Sequence, residues 1–241
     1  MSLDLLARTA YDEDHEAFRQ TVRKFVEAEV APHQATWAEA GIVPKALWPK
    51  AGALGMLCPT VPEEYGGLGL DFGYNAIVDE ESAYYGRVTT GFSLQSDIVC
   101  NYIVKYGSDE QKAKWLPKMV AGEVITAIAM TEPGTGSDLQ AMRTTAKKDG
   151  NHYVINGSKT YITNGQNADL ILVCVKTDTE VQPAWKGVSI VLSRRHAKVS
   201  SAEPTSTRSD RMRPIPPSCS LRTCGCRSPI ASVKKARASS I

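Results

Sequence analysis

Apolar positions recur at helical spacing through the first half of the chain and at alternating spacing through much of the second, with the change near Glu123. Tyr11 to Ala31 places Phe18, Val22, Phe25, Val26 and Val30 on one stripe, opposite Arg19, Arg23, Lys24 and Glu27, and predicts an amphipathic helix that Pro32 stops. Further helices are expected over Lys45 to Leu54, Tyr74 to Tyr85, Gly91 to Lys105 and Asp109 to Val120. The last has Ser108 as N-cap and Gly122 just past its end, and the Gly-rich run Tyr65 to Gly73 reads as a loop. Strands are expected over Val124 to Met130, Met142 to Lys148, His152 to Asn156, Thr160 to Thr163, Leu170 to Lys176 and Gly187 to Leu192. An all-α region therefore leads into a β region.

The densest local signal is Ile128 to Leu139, I-A-M-T-E-P-G-T-G-S-D-L, where an apolar run meets a turn. Pro133, Gly134 and Gly136 exclude regular structure, and the glycines let a ligand approach the main chain. Thr131 and Ser137 add hydroxyls that both donate and accept. The same residues also suit a tight connection closed by Asp138. About twenty residues on, Asn156 to Gly165 reads N-G-S-K-T-Y-I-T-N-G, with an Asn-Gly pair at each end predicting hairpin turns.

M-T-E-P-G-T-G-S-D-L and I-N-G-S-K-T-Y-I-T-N-G resemble signatures of the acyl-CoA dehydrogenases, FAD enzymes that desaturate acyl-CoA thioesters. P-E-E-Y-G-G-L-G-L-D at Pro62 to Asp71 and Y-G-S-D-E-Q-K-A-K-W-L-P at Tyr106 to Pro117 extend the likeness, which spans Met1 to Leu192. The resemblance implies an α+β fold: an N-terminal all-α domain at 1–122, then a β-barrel-like domain at 123–192, with the family's C-terminal helical bundle missing from this chain. It implies that Ile128, Ala129, Met130, Thr131, Gly136 and Ser137 line FAD, Thr131 at its pyrimidine edge and Ser137 toward flavin phosphate or the acyl-CoA substrate. Tyr161, Ile162 and Thr163 would form a second wall, Tyr161 standing where many relatives carry Trp and Thr163 reaching the flavin N5 region. Taken alone, Tyr161 and Thr163 are simply β-formers.

The family's catalytic base is a Glu of the C-terminal domain, so no residue here is assigned that role, Glu132 included. Weak flavin retention and no turnover are expected of the chain as written. The resemblance further implies an electron-transfer flavoprotein as acceptor and a homo-oligomer for the intact protein. A related flavoprotein oxidase or monooxygenase, or a non-catalytic relic, are the competing readings.

Composition suits a globular chain: 241 residues, 42% hydrophobic, with no apolar run long enough for a membrane span or signal segment, so the start at Met1 reads as cytoplasmic. Cys58, Cys100 and Cys174 stand isolated in apolar surroundings, as reduced core thiols do, and no His lies at metal-ligand spacing from them.

The last 49 residues break this pattern. Ser193 to Ile241 holds no Phe, Trp or Tyr, with 11 Ser, 5 Pro and 11 Lys plus Arg against 2 Asp plus Glu, a formal charge of 11 − 2 = +9. The whole chain carries +2, so Met1 to Leu192 carries 2 − 9 = −7, and the basicity belongs to the tail alone. Such a segment is expected to be disordered. A nucleic-acid-binding arm is a first thought, but no aromatic is present for stacking, and Cys219, Cys224 and Cys226 lack zinc-knuckle spacing.

A shifted reading frame explains it better. Regrouping the codons so that each joins one wobble base to the next residue's first two bases gives, from Ser193, V-E-A-A-R-E-G-F-E-R. From the wobble base of Thr207 the regrouped codons read K-I-G-P-D-A-A-D-T-S-E, and from that of Ser218 they read L-F-F-E-D-V-R-V-P-I-A-N-S-F-G-E-E-G-K-G-F-I-Y. Aromatics, acidic residues and strand patterning return without a stop, as the family resemblance requires. The expectation is an out-of-frame tail at 193–241.

Overall fold

The computed structural model describes residues 11–85, 90–150 and 152–194, together with the backbone of two short strands at 200–201 and 219–225. Two compact units emerge, one gathering Met1–Val104 with Gln111–Glu123, the other Lys105–Glu110 with Val124–Ile241.

The first unit is helical: α1 (Glu13–Phe25), α2 (Gln34–Ala40), α3 (Leu47–Gly52), α4 (Phe72–Tyr85), α5 (Cys100–Tyr106) and α6 (Asp109–Val120). Asp12 caps α1, accepting from the His15 backbone N–H at 3.0 Å, while acidic residues fill the first turn and complement the helix dipole. Pro32 does not stop the helical path as expected. The chain loosens into a π turn at Val26–Val30, passes through a 3-10 turn at Ala31–His33 with Pro32 in its first turn, and continues as α2. Proline is tolerated there because a first-turn N–H has no intrahelical acceptor.

The buried face of α1 also differs from the sequence reading. His15 and Arg19 join Val22 and Phe25 inside, and Arg19 is only 7% exposed. Its guanidinium reaches Glu80 at 2.6 Å and Glu81 at 3.2 Å, both on α4, and Arg23 adds a 2.8 Å pair to Glu81. Burial of a cation at a helix–helix contact is acceptable when such partners wait for it. Deeper in, Trp48 meets Phe92 edge to face, ring centroids 4.9 Å apart.

Among the described residues, the second unit is a sheet of seven strands: β1 (Thr126–Ala129), β2 (Thr145–Asp149), β3 (His152–Lys159), β4 (Leu170–Lys176), β5 (Val188–Arg194), β6 (Ser200–Ser201) and β7 (Cys219–Gly225). Central β4, buried from Leu170 to Val175, runs parallel to β1, antiparallel to β5 and touches β2 at Thr145↔Lys176. Its unbroken apolar run is what a strand covered on both faces requires. β2 pairs antiparallel with β3, and β3 with β7. These pairings make a branched sheet; a pairing that closes it into a barrel is not among those of the described residues.

Two expectations fail at the second motif. Asn156-Gly157 makes no hairpin but lies inside β3, where a Cβ on Gly157 would fall 2.2 Å from the Thr144 hydroxyl oxygen. That glycine serves a close approach of two chains, not a turn. Thr160 to Thr163 is no strand either: Tyr161 and Asn164 hold left-handed φ of 56° and 62°, and only the second Asn-Gly pair turns the chain. The tail expected to be disordered supplies β6 and β7; its remaining residues lie outside the described set.

Candidate functional site

The first motif leaves the sheet at the end of β1. Ile128 and Ala129, at 7% and 1% exposed, are core residues of that strand, paired with Leu172 and Val173 of β4. Past Met130 the chain turns tightly: Glu132 N–H donates to Thr135 O at 2.9 Å and Thr135 N–H returns to Glu132 O at 3.0 Å. The tight-connection reading of this loop is thus realised, with Asp138 instead accepting from Gln140 N–H at 3.1 Å to start the next turn. Gly134, Gly136 and Ser137 face outward, and a Cβ at either glycine would meet nothing within 4 Å. This exposed rim is open for a ligand.

A buried ion pair anchors the loop from below. Glu132 is 7% exposed and accepts from Arg143 N–H at 2.7 Å, Thr144 N–H at 2.9 Å and Lys159 Nζ at 2.9 Å. Lys159, wholly buried, also donates to Met130 O at 2.8 Å. Burial alone would raise the Glu132 carboxyl, but donors from Thr144, Arg143 and Lys159 outweigh it and bring it down to about 2. Neither residue was singled out from sequence as a site member. Their signal was present, since an acidic residue inside the first motif and a lysine inside the second are odd in otherwise apolar or small-residue segments.

The two motifs meet at the surface. Thr160 N–H donates to Thr131 O at 2.9 Å, so the half-buried Thr131 lies beside the segment Thr160 to Asn164. Asn164 reaches back through Nδ2 to Thr126 O at 3.1 Å, and Gly165 N–H to Ile162 O at 3.0 Å. On this pinned turn Tyr161 is 74% exposed at left-handed φ, Thr163 is exposed and Ile162 half-buried. A bulky aromatic kept in a strained backbone well and offered to solvent is costly unless something flat covers it.

Of the nine residues read from sequence as flavin-lining, Met130, Thr131, Gly136, Ser137, Tyr161, Ile162 and Thr163 reach the surface at least in part, while Ile128 and Ala129 do not. A planar, polar-edged ligand fits this rim: an open aromatic face, hydroxyls at Thr131, Ser137 and Thr163, and glycine backbone free of Cβ atoms. FAD has that chemistry.

The acyl-CoA dehydrogenase N-terminal domain matches residues 12–123, and the acyl-CoA dehydrogenase middle domain matches 127–215. The long-chain specific acyl-CoA dehydrogenase of Sus scrofa mitochondria is 49% identical over 189 residues, which are 78% of this chain and 44% of that protein. The isovaleryl-CoA dehydrogenase of Bos taurus mitochondria is 42% identical over 176 residues, 72% of this chain and 41% of that protein. Among solved structures, an acyl-CoA dehydrogenase from Geobacillus kaustophilus superposes with a TM-score of 0.77 at 50% identity, covering 79% of this chain and 50% of that one. An acyl-CoA dehydrogenase from Bacillus anthracis, complexed with FAD, gives 0.72 at 33% identity over 84% of this chain and 34% of the other. The chain thus spans less than half the length of the curated relatives it matches. Two consecutive domain matches over a helical unit and a sheet unit in that order place the chain in the acyl-CoA dehydrogenase family of oxidoreductases.

Proposed function

We propose that the gene encodes an FAD-dependent acyl-CoA dehydrogenase, which desaturates an acyl-CoA thioester between its α and β carbons and passes electrons to an electron-transfer flavoprotein. The observation that carries the reading is Tyr161, 74% exposed on a strained turn that is hydrogen-bonded to the first motif at Thr131. FAD, when bound, supplies the acceptor for the hydride that leaves the substrate β carbon. The residues of this chain bind and orient it: Thr131 offers its hydroxyl to the pyrimidine edge, Gly136 and Ser137 accommodate phosphate or acyl-CoA, and Tyr161 to Thr163 cover the ring. Buried Glu132 and Lys159 keep the two walls in register without touching the ligand.

The same reading holds that residues after Leu192 are translated out of frame, which leaves the chain as written with weak flavin retention and no turnover. A gene with one base returned after the Leu192 codon is expected to yield yellow protein that bleaches anaerobically on addition of acyl-CoA. Tyr161→Gly in that background is expected to weaken FAD binding by about tenfold or more while leaving thermal stability equal or higher, since glycine relieves a left-handed φ that costs a side chain about 1 kcal/mol. Unchanged flavin affinity in Tyr161→Gly removes Tyr161 from the site. Stoichiometric flavin and bleaching in the 241-residue chain itself contradict the frame reading.

A further inference from the structure

Four polar side chains meet between two helical segments of the first unit, none of them a member of the flavin rim. Asn75 and Asp79 stand one turn apart on α4, and Ser93 and Asp97 stand one turn apart where the chain enters a π turn at Leu94–Val99. Residues at that spacing share a helix face. Asn75 Nδ2 donates to Asp97 Oδ1 at 2.5 Å, the Ser93 hydroxyl donates to the Asp79 carboxylate, and the two carboxyl groups hydrogen-bond each other. Two carboxyl groups bond in this way only by sharing a proton. Burial, then the hydrogen bond and charge of Asp97, accordingly hold Asp79 well above the ordinary carboxylate range. Among the described residues, no Lys, Arg or His acts on Asp79 to offset that charge.

The amide of Asn75 is incomplete. The residue is 2% exposed, and its Oδ1 has no hydrogen-bond partner among the described residues. That oxygen shares a carbon with the Nδ2 that holds Asp97, so it belongs to the same cluster. Turning the amide over would set its oxygen against the Asp97 carboxylate and orphan an N–H instead. A buried acceptor left unpaired is rare and costly, and it points to a group for which the cluster is built. Water would satisfy the amide but not two carboxylates with no cation beside them. An all-oxygen donor set with two carboxylates suits a hard divalent cation, and calcium tolerates the irregular geometry that side chains from two helical segments impose. Asp79, Ser93 and Asp97 are half-buried, which gives the ion an entrance and leaves room for waters in its shell.

We propose that Asn75 Oδ1, Asp79, Ser93 Oγ and Asp97 form a calcium-type divalent cation site that ties α4 to the π turn at Leu94–Val99. On entry the cation takes the place of the shared proton, which leaves to solvent, and both carboxylates become anionic ligands. The ion then links the two segments where the proton now does.

The 241-residue protein, freed of metal with EDTA and dialysed to near pH 8, is titrated with calcium chloride by isothermal calorimetry. One saturable site is expected with a Kd of about 1 mM or tighter, the range of sites with few charged ligands. Asp79→Asn keeps the side chain's shape and removes one anionic ligand, and is expected to weaken binding by about tenfold or more. Asp97→Asn is measured beside it with the same expectation, so that failure of one variant to fold leaves the other to decide. Asp149→Asn removes an exposed carboxylate from β2 and is expected to leave the affinity unchanged, which separates the site from the general charge of the chain. No saturable heat up to about 10 mM calcium overturns the proposal. Equal affinity in the folded Asp79 and Asp97 variants, or the same loss in Asp149→Asn, overturns it as well.

Discussion

Lys159 is wholly buried, and its ammonium group is divided between Met130 O and Glu132, so a single substitution exposes how the pair works. Lys159→Met is expected to cost about 3 to 5 kcal/mol, because the Glu132 carboxylate is left buried without its cation. Adding Glu132→Gln is expected to recover much of that loss, and urea unfolding of the single and double variants measures it. Asp79 makes a second test, this time of pH. Burial first, then the hydrogen bond and charge of Asp97, push its carboxyl up to about 7 from an ordinary 3.8. The folded state then holds a proton that the unfolded chain releases, so stability is lost as pH rises from about 3.8 to about 7. Asp79→Asn is expected to be neutral near pH 4 and to stabilise at pH 8 by roughly 1 to 2 kcal/mol, discounted for partial solvent screening; urea midpoints at the two pH values check it. The partners that define these roles were not legible in sequence, even where an odd charged residue stood out. Glu132 read as one residue of a loop, and Arg19 read as surface because a three-residue offset from the apolar stripe says nothing about the two glutamates waiting on α4.

Elements were legible where the period was long and failed where a contact between distant chain segments decided the backbone. α6 and β4 fall where the pattern put them, Asp109–Val120 and Leu170–Lys176, because twelve residues at helical spacing or an unbroken apolar run leave few alternatives. Asn156-Gly157 misled because a strong local turn signal was overridden by Thr144, which crosses β3 too closely for any side chain at 157. Gly157→Ala is expected to destabilise the sheet by about 2 kcal/mol or more, since the Cβ would stand 2.2 to 2.6 Å from three Thr144 atoms. Thr144→Gly in the same chain is expected to return part of that loss by removing two of the three. Equal destabilisation in the single and double variants would show that the crossing is not the reason for the glycine. The candidate site was legible as two motifs, while its strained turn at Tyr161 and its buried ion pair needed coordinates, because both arise only when β1 and β3 end side by side.

At the scale of the whole molecule, one chain carries two kinds of sequence. Residues up to Leu192 hold a charge of −7, two domain motifs and a packed core, whereas Ser193 to Ile241 holds +9 and no Phe, Trp or Tyr. The most direct measurement is the nucleotide sequence across codons 187–241, because the frame reading specifies wobble bases individually. Ser193 must be encoded TCG for glutamate to follow, and Lys198 AAG for glycine to follow. The account predicts that these and the later wobble bases together spell V-E-A-A-R-E-G-F-E-R and, over 219–225, L-F-F-E-D-V-R. Wobble bases that introduce stops or spell neither run contradict it.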